Sequence, residues 1–352
     1  MSPSSSDLIG QLLAIRLEVS HWSGSLERFL KRYQPAGILL SMPRWQSPEA
    51  AAELSGRLAG ALSTPPFLRP GDERTIDRLA SPLPSPRAAA DAGLSAVERL
   101  AGLVGRGFQL LGFNSYGGPT LDLVAPGAGS PFVDRAFSAD PQIVARCGDA
   151  FIRELEHHRI VACPGSFPGL GNASGSRHDP PLVIDKPMAA LWREDLVPYR
   201  ELLSRMALVR VSPAAYKAFD YDLPKPAPLS ERVVEGLLRV RMGYRGAAVA
   251  DLNAVGVAGQ KLSVGQAAVR AVNSGCDLLV VRGEGELAEA FAALQEGVQS
   301  GALPPERLEG AVSRTRGAKK GLALPSGTIS VPDWDQLLHE CKQFGEELRT
   351  QE

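Results

Sequence analysis

The fold can be predicted from residues 159–178, which read RIVACPGSFPGLGNASGSRH. The first four residues are a short apolar run typical of a buried strand, and residues 165–178 form a glycine-rich loop that leads to a pair of prolines. Short apolar runs of this kind, bounded by Gly or Pro, alternate with longer amphipathic stretches along the whole chain. This alternation indicates repeated βα units and a parallel sheet.

The strand candidates number about eight, which suits a closed (β/α)8 barrel of the TIM type. They are residues 8–17, 37–40, 66–69, 108–113 with 120–124, 159–162, 207–211, 246–250 and 277–281. Helix-start signals fall in the gaps, at Ser47-Pro48-Glu49 and at Asp140-Pro141. We predict a single α/β barrel domain over residues 1–320. Residues 321–352 are expected to be a C-terminal extension with one helix packing on the barrel.

Composition and charge indicate a globular chain with no attraction for polyanions. The 352 residues are 44% hydrophobic, enough to bury a full core. Lys+Arg is 38 against Asp+Glu 39, so neither nucleic acid nor a membrane surface is expected as a partner. The four cysteines, Cys147, Cys163, Cys276 and Cys341, lie far apart and lack metal-ligand spacing. We therefore expect a reduced, cytoplasmic protein without a metal or another cofactor.

The loop over residues 165–178 resembles the K-H-F-P-G-H-G-D-T-x-x-D-S-H segment of bacterial β-N-acetylglucosaminidases in glycoside hydrolase family 3. Its frame is kept by Phe167-Pro168-Gly169, Gly171, Ser174 and His178. Further likenesses to family motifs lie at residues 121–123, 134–141, 184–185, 194–199, 226–230, 242–246 and 273–278. The resemblance runs from about residue 8 to residue 320. It implies the barrel fold and retaining hydrolysis of terminal β-linked N-acetylglucosamine.

Two catalytic residues are implied by the resemblance. Retaining glycosidases need a carboxylate nucleophile and an acid/base roughly 5 Å apart. Asp251 fills the nucleophile position at the end of the seventh strand, although an aspartate at a βα junction also serves as a cap. His178 stands at the acid/base position, but Ser176 replaces the aspartate of the family's Asp-x-His pair. Arg177 further disfavours the protonated imidazole, and Asp179 would have to swing back to replace the missing carboxylate.

The substrate contacts implied by the resemblance are mostly altered. Arg135 remains as a sugar-binding candidate. Asp72 lies in an altered 70–75 motif, Asn172 stands in place of an aspartate, and Ser176 completes the substrate-binding candidates.

The replaced positions carry small or apolar residues instead of polar ones. Lysine and histidine give way to Gly165-Ser166, two histidines to Leu170 and Pro213, and an aspartate to Pro70. Each lost charged contact costs ~1.5–3 kcal/mol. We therefore predict a less polar, proline-lined mouth that binds N-acetylglucosamine poorly.

Two hypotheses about function follow. The first is a family 3-like β-N-acetylhexosaminidase with impaired or lost catalysis, in which Asp251 is the nucleophile, Arg135 holds the substrate and His178 is a damaged acid/base. The second is a non-catalytic pseudoenzyme that binds a partner protein or an altered small ligand at the barrel mouth. A glycosidase with a changed substrate is a further alternative, and a small carbohydrate is the expected ligand of either enzyme.

Overall fold

The computed structural model describes residues 5–19, 21–41, 47–71, 83–124, 133–170, 182–223, 225–253 and 262–350. Within these ranges a curled parallel sheet is surrounded by helices. The strands are β1 (Leu13–Glu18), β2 (Gly37–Ser41), β3 (Phe67–Pro70), β4 (Ser115–Tyr116), β5 (Val161–Ala162), β6 (Gly165–Phe167), β7 (Val183–Ile184), β8 (Leu208–Val211), β9 (Ala215–Tyr216), β10 (Ala247–Asp251) and β11 (Leu278–Arg282).

The helices occupy most of the connections between strands. They are α1 (Ser5–Gly10), α2 (Gly24–Tyr33), α3 (Pro48–Gly60), α4 (Pro86–Ala92), α5 (Leu94–Leu110), α6 (Pro141–His157), α7 (Met188–Arg193), α8 (Val197–Leu202), α9 (Arg232–Arg241, wound as a π-helix), α10 (Val264–Asn273), α11 (Gly283–Ser300), α12 (Pro305–Ala318) and α13 (Val331–Arg349). Ser47 and Asp140 cap α3 and α6 as predicted, since their side chains accept backbone N–H bonds from the first helical turn.

Hydrogen bonds between neighbouring strands close the sheet into a barrel. Seven strands lie in the order β3-β2-β1-β11-β10-β8-β6, and β4 pairs with β5, all in parallel. β5 and β6 follow each other along the chain and together occupy one strand position in the barrel wall. Asn114, just before β4, donates its backbone N–H to the Leu68 carbonyl of β3 at 3.0 Å. The wall therefore has eight positions, and the predicted single α/β barrel is confirmed.

Alternation along each strand separates two environments. In β1, Leu13, Ile15 and Leu17 are buried in the main core between sheet and helices. Ala14 belongs instead to a second, smaller cluster inside the barrel. Arg16, two residues further on, faces the mouth. The carboxyl-terminal inward positions of the strands are thus the ones that shape the site.

Two of the strand predictions need correction. Residues 8–17 begin inside helix α1, and only Leu13–Glu18 is extended. Residues 108–113 are not a strand, because helix α5 continues to Leu110 and the wall strand is β4. Both segments are largely buried apolar runs, and a short apolar run does not distinguish a buried helix end from a strand. Residues 120–124, predicted together with 108–113, are not a strand either, since only Thr120 forms isolated bridges, with Ala136 and Gly165.

The carboxyl-terminal helix α13 lies against α5. Glu340 pairs with Arg106 at 2.5 Å, and Glu347 pairs with Arg99. The Arg99 guanidinium also stacks over the Phe344 ring, 4.6 Å from its centroid. Among the helices so described, none combines the length and the apolar character that crossing a membrane requires.

Candidate active site

A cavity of about 530 Å³ opens at the carboxyl ends of the barrel strands. Asp251, the last residue of β10, and Arg135, the last residue of a 3-10 turn, both line it. The structure therefore brings together these two sequence-predicted site residues. The ranges given above do not include the other four candidates, His178, Asp72, Asn172 and Ser176.

The Asp251 carboxylate faces this cavity but is held by neighbours. Its Oδ2 lies 3.1 Å from Nη2 of Arg16, and its Oδ1 accepts the backbone N–H of Asn253 at 3.1 Å. The other guanidinium nitrogen of Arg16, Nη1, donates to the Gly71 carbonyl at 3.0 Å. Side-chain exposure is 26% for Arg16 and 24% for Asp251, so the pair is partly shielded from water. The carboxylate predicted from the sequence as the nucleophile is therefore ion-paired.

Three strands each direct one arginine into the mouth. Arg16 of β1, Arg69 of β3 and Arg210 of β8 all line the cavity. Arg16 and Arg69 lie at the same height, because both are paired in register with Leu39 of β2. The inward position two residues before each arginine is apolar: Ala14, Phe67 and Leu208. The period-2 alternation that fills the barrel interior thus brings the arginines to its rim.

The lining of the cavity combines apolar and charged side chains. Leu170 and Pro213 line the cavity. Among the residues that the structure describes, the guanidinium groups of four arginines and the carboxylates of Asp122 and Asp251 line it as well. The prediction considered only the positions of the family motifs and so left out the arginines of the strands.

Asp122 fixes the start of the loop that follows β6. It is buried, and its Oδ1 accepts the backbone N–H groups of Leu170 at 2.7 Å and Ser166 at 3.3 Å. Burial raises the pKa of Asp122 to about 6, and the nearby Asp195 carboxylate adds to the rise. The Leu170 N–H, the Arg210 guanidinium and the Ser166 N–H act in the opposite direction. A carboxyl group that titrates in the mildly acidic range therefore lies in the wall of the cavity.

Gly169 explains why the Phe167-Pro168-Gly169 frame persists. Its φ of 138° lies in the region that side-chain-bearing residues avoid. A Cβ on this residue would also lie 2.6 Å from Cβ of Asp195. Tyr216 donates its hydroxyl to the Gly169 carbonyl at 2.6 Å, and Asp195 forms an ion pair with Lys186. Gly169 thus helps to hold the start of the loop in position.

The arginines of the three strands are the residues that sequence reasoning missed. Each strand is a short run, LAIRLE, FLRP or LVRV, with a single arginine among apolar neighbours. Arginine is almost never buried without a partner, so an arginine inside a barrel strand indicates a lined cavity. A single arginine within an apolar strand was therefore the sequence pattern that could have identified them. Elsewhere in the part of the chain that the structure describes, no group of three or more His, Cys, Asp or Glu side chains could hold a metal ion.

Comparison with known proteins relates the chain to glycosidases. Residues 6–317 match the N-terminal domain of glycosyl hydrolase family 3. A β-hexosaminidase of Xanthomonas oryzae pv. oryzae is 30% identical over 299 residues, covering 81% of this chain and 87% of that protein. The structure of a family 3 β-N-acetylglucosaminidase from Paenibacillus sp. str. FPU-7 has a TM-score of 0.84 at 24% identity, covering 97% of this chain and 69% of that one. A family 3 member from Mycobacterium smegmatis has a TM-score of 0.80 at 24% identity, covering 92% and 99%.

Proposed function

Since this chain belongs to glycoside hydrolase family 3 and is related to its β-hexosaminidases, we propose that it is a binding protein built on their barrel, with impaired or lost hydrolysis. The observation that carries the proposal is the Arg16 guanidinium on the Asp251 carboxylate, 3.1 Å away. A nucleophile in this position has to reach the anomeric carbon of a sugar. Here one of its oxygens is held by a cation and the other by a backbone N–H.

The charge of the cavity also opposes the reaction. Retaining hydrolysis passes through an oxocarbenium-like transition state, which carries positive charge on the sugar ring. Like charges ~6 Å apart at an effective dielectric constant of about 20 repel by ~3 kcal/mol. The Arg16 guanidinium, 3.1 Å from the Asp251 carboxylate that would attack the sugar, therefore raises the barrier, and every ~1.4 kcal/mol slows the reaction about tenfold.

The sequence of the loop supports the same conclusion. A positioned acid/base accelerates such reactions by roughly 10²–10⁴-fold. The family's Asp-x-His pair has become Ser176-Arg177-His178. By resemblance, the aspartate two residues before His178 has become Ser176, Asn172 stands in place of another aspartate, and Asp72 lies in a motif whose aspartate has become Pro70.

Residual retaining hydrolysis is the second candidate, and a specific observation favours it. Asp251 keeps its place at the end of β10 with 24% of its side chain exposed, and Arg135 lines the same cavity. In that case Asp251 is the nucleophile, Arg135 binds the sugar and His178 is the acid/base. The substrate is then a β-linked N-acetylhexosamine or a related, altered sugar.

A chromogenic β-N-acetylglucosaminide distinguishes the two candidates. We expect wild-type turnover close to the background rate and no further loss in Asp251→Asn. Turnover at ordinary enzyme rates, about 1–10³ s⁻¹, that disappears in Asp251→Asn would contradict the binding-protein hypothesis and support the hydrolase. Calorimetry is expected to detect no N-acetylglucosamine binding at millimolar concentration. Saturable binding of that sugar by wild type that is lost in Arg135→Ala would contradict the proposal.

Two secondary expectations belong to the proposal. All four cysteines are buried and form no disulfide with one another, which supports a reducing, cytoplasmic location. Residues 321–352 are proposed to be an extension of the barrel domain, residues 1–320. Limited proteolysis that removes the extension while leaving the barrel folded would support this division.

A further inference from the structure

We propose that the interior of the barrel binds the apolar group of a small molecule, a short alkyl chain, while the polar end of that molecule stays at the mouth. The inference rests on the proposed function, because it names the class of ligand that the binding protein takes into its cavity. It concerns the space below the rim at which β10 ends in Asp251. A sugar carries hydroxyl groups around its ring and offers no apolar group of this kind.

The cavity extends from the mouth to the amino-terminal ends of several strands. Phe67, Leu208 and Leu278 are the first residues of β3, β8 and β11, and all three line it. On β3 and β8 the next inward residues are Arg69 and Arg210, two positions further along each strand. Two residues of strand span roughly 6–7 Å. The space therefore continues by about that distance below the level of the arginines.

Small side chains on two neighbouring strands leave room inside the barrel. Barrel interiors are usually filled by layers of bulky, branched side chains. Ala14 of β1 is paired in register with Gly37 of β2, and both residues line the cavity. These two strands thus contribute only one methyl group at this height. The neighbours in the same register are Phe67 of β3 and Val280 of β11, which form apolar walls on either side.

The exposure of the strand residues shows that the interior is accessible. Leu68 and Val209 point outwards into the main core and are completely buried. Their inward neighbours Phe67 and Leu208 keep 4% and 3% of their surface exposed, and Val249 keeps 7%. Inside a closed barrel, such residual exposure means contact with a space that a water molecule can enter.

The lower part of this space is apolar and ends at the bottom of the barrel. Ala36, just before β2, and Ala247, the first residue of β10, are completely buried in the same interior cluster. Leu322 packs against this cluster as well. Cavities with apolar walls hold water poorly and bind apolar ligands. A total volume of about 530 Å³ suits one small molecule that is apolar at one end and polar at the other.

Linear alcohols test the apolar requirement, because they share one hydroxyl group and differ in chain length. Each methylene removed from water strengthens binding by up to about fourfold. Calorimetry on the full chain should therefore show that hexan-1-ol binds about 10- to 50-fold more tightly than propan-1-ol. Pentane-1,5-diol matches hexan-1-ol in length but carries a second hydroxyl group at the buried end. We expect it to bind about tenfold more weakly than hexan-1-ol, or weaker still.

A variant that fills the interior tests the position of the site. Ala14→Leu places a larger apolar side chain in the space and should weaken hexan-1-ol by about tenfold. The shorter propan-1-ol should be affected much less. Ala92→Leu makes the same exchange at the exposed last residue of α4 and should leave both affinities unchanged.

Several outcomes would overturn the inference. They are equal affinities for propan-1-ol and hexan-1-ol, a diol that binds as tightly as hexan-1-ol, an unchanged hexan-1-ol affinity in Ala14→Leu, and an equally large effect of Ala92→Leu. The wild-type comparison does not require any variant to fold. Turnover of the chromogenic sugar would contradict the proposed function whatever the alcohols do. Equal alcohol affinities without turnover would contradict only the apolar ligand.

Discussion

Replacing Asp122 with asparagine should change how the stability of the barrel depends on pH. Burial raises the pKa of Asp122 from 3.8 to about 6. A folded-state pKa above the unfolded value means that the fold favours the neutral carboxyl group. The stability that this preference contributes is complete below pH 3.8 and is lost as the pH rises through about 6. The pKa interval corresponds to ~3 kcal/mol, which is the largest effect that this group can have.

Asparagine at position 122 has no titratable group and nearly the same side-chain shape as aspartate. Its side-chain oxygen can still accept the N–H groups of Leu170 and Ser166, both of which bond to one oxygen of Asp122. Its amide group needs a new partner, which costs ~1–3 kcal/mol at every pH. The constant cost does not affect the pH dependence. The free energy of unfolding of Asp122→Asn, relative to that of wild type, should therefore increase by ~2 kcal/mol as the pH rises from about 4.5 to about 7.5.

Urea unfolding at a series of pH values, followed by circular dichroism, measures this difference directly. Asp185→Asn is a suitable control, because 73% of the Asp185 side chain is exposed and it forms an ion pair with the surface residue Lys217. The control curve should remain parallel to that of wild type. Parallel curves for wild type and Asp122→Asn would refute the assignment of a raised pKa to Asp122, and with it the preference of the fold for a neutral carboxyl group in the cavity wall.

Two further predictions concern the other end of the barrel. Asp277 is fully buried and bonded to Arg239, Arg307 and Arg314, so Asp277→Ala should destabilise the fold by ~3–5 kcal/mol; a loss below about 1 kcal/mol in urea unfolding would contradict that role. Burial lowers the pKa of Lys319 to about 7, so the unfolded chain binds this proton more tightly than the folded chain. Lys319→Met should therefore be more stable than wild type at neutral pH, with a gain that shrinks as the pH rises towards 10 in thermal unfolding; an unchanged gain across that range would contradict the lowered pKa.

Much of the fold could be predicted because local signals agreed with the barrel. Asp140-Pro141 correctly predicted the first residue of α6. The predicted strand 246–250 differs by one residue from the observed strand, Ala247–Asp251. The prediction failed at residues 108–113, where the last turn of α5 and the following loop are as apolar and as buried as a strand. Local sequence could not separate the two because both pack against the same core.

The site was less accessible to prediction than the fold. Asp251 and Arg135 could be found because each lies in a family motif. Arg16, Arg69 and Arg210 could not be placed, because barrel strands are covered on both faces and their apolar runs do not reveal which residues point inward. The Arg16–Asp251 contact joins residues 235 positions apart. It exists only because closure of the barrel brings the ends of β1 and β10 to one mouth.

The Arg16 bridge has a consequence for evolutionary reversibility. One guanidinium group spans from Asp251, at the end of β10, to the carbonyl of Gly71, just after β3. Under the proposed loss of hydrolysis, an Asp-x-His pair restored to the sequence at 176–178 would still face an Asp251 held by this bridge. Removing Arg16 first would release the carboxylate but break the tie to Gly71. Effects of residues in contact are not additive, so the proposal implies that no single substitution would restore full hydrolysis.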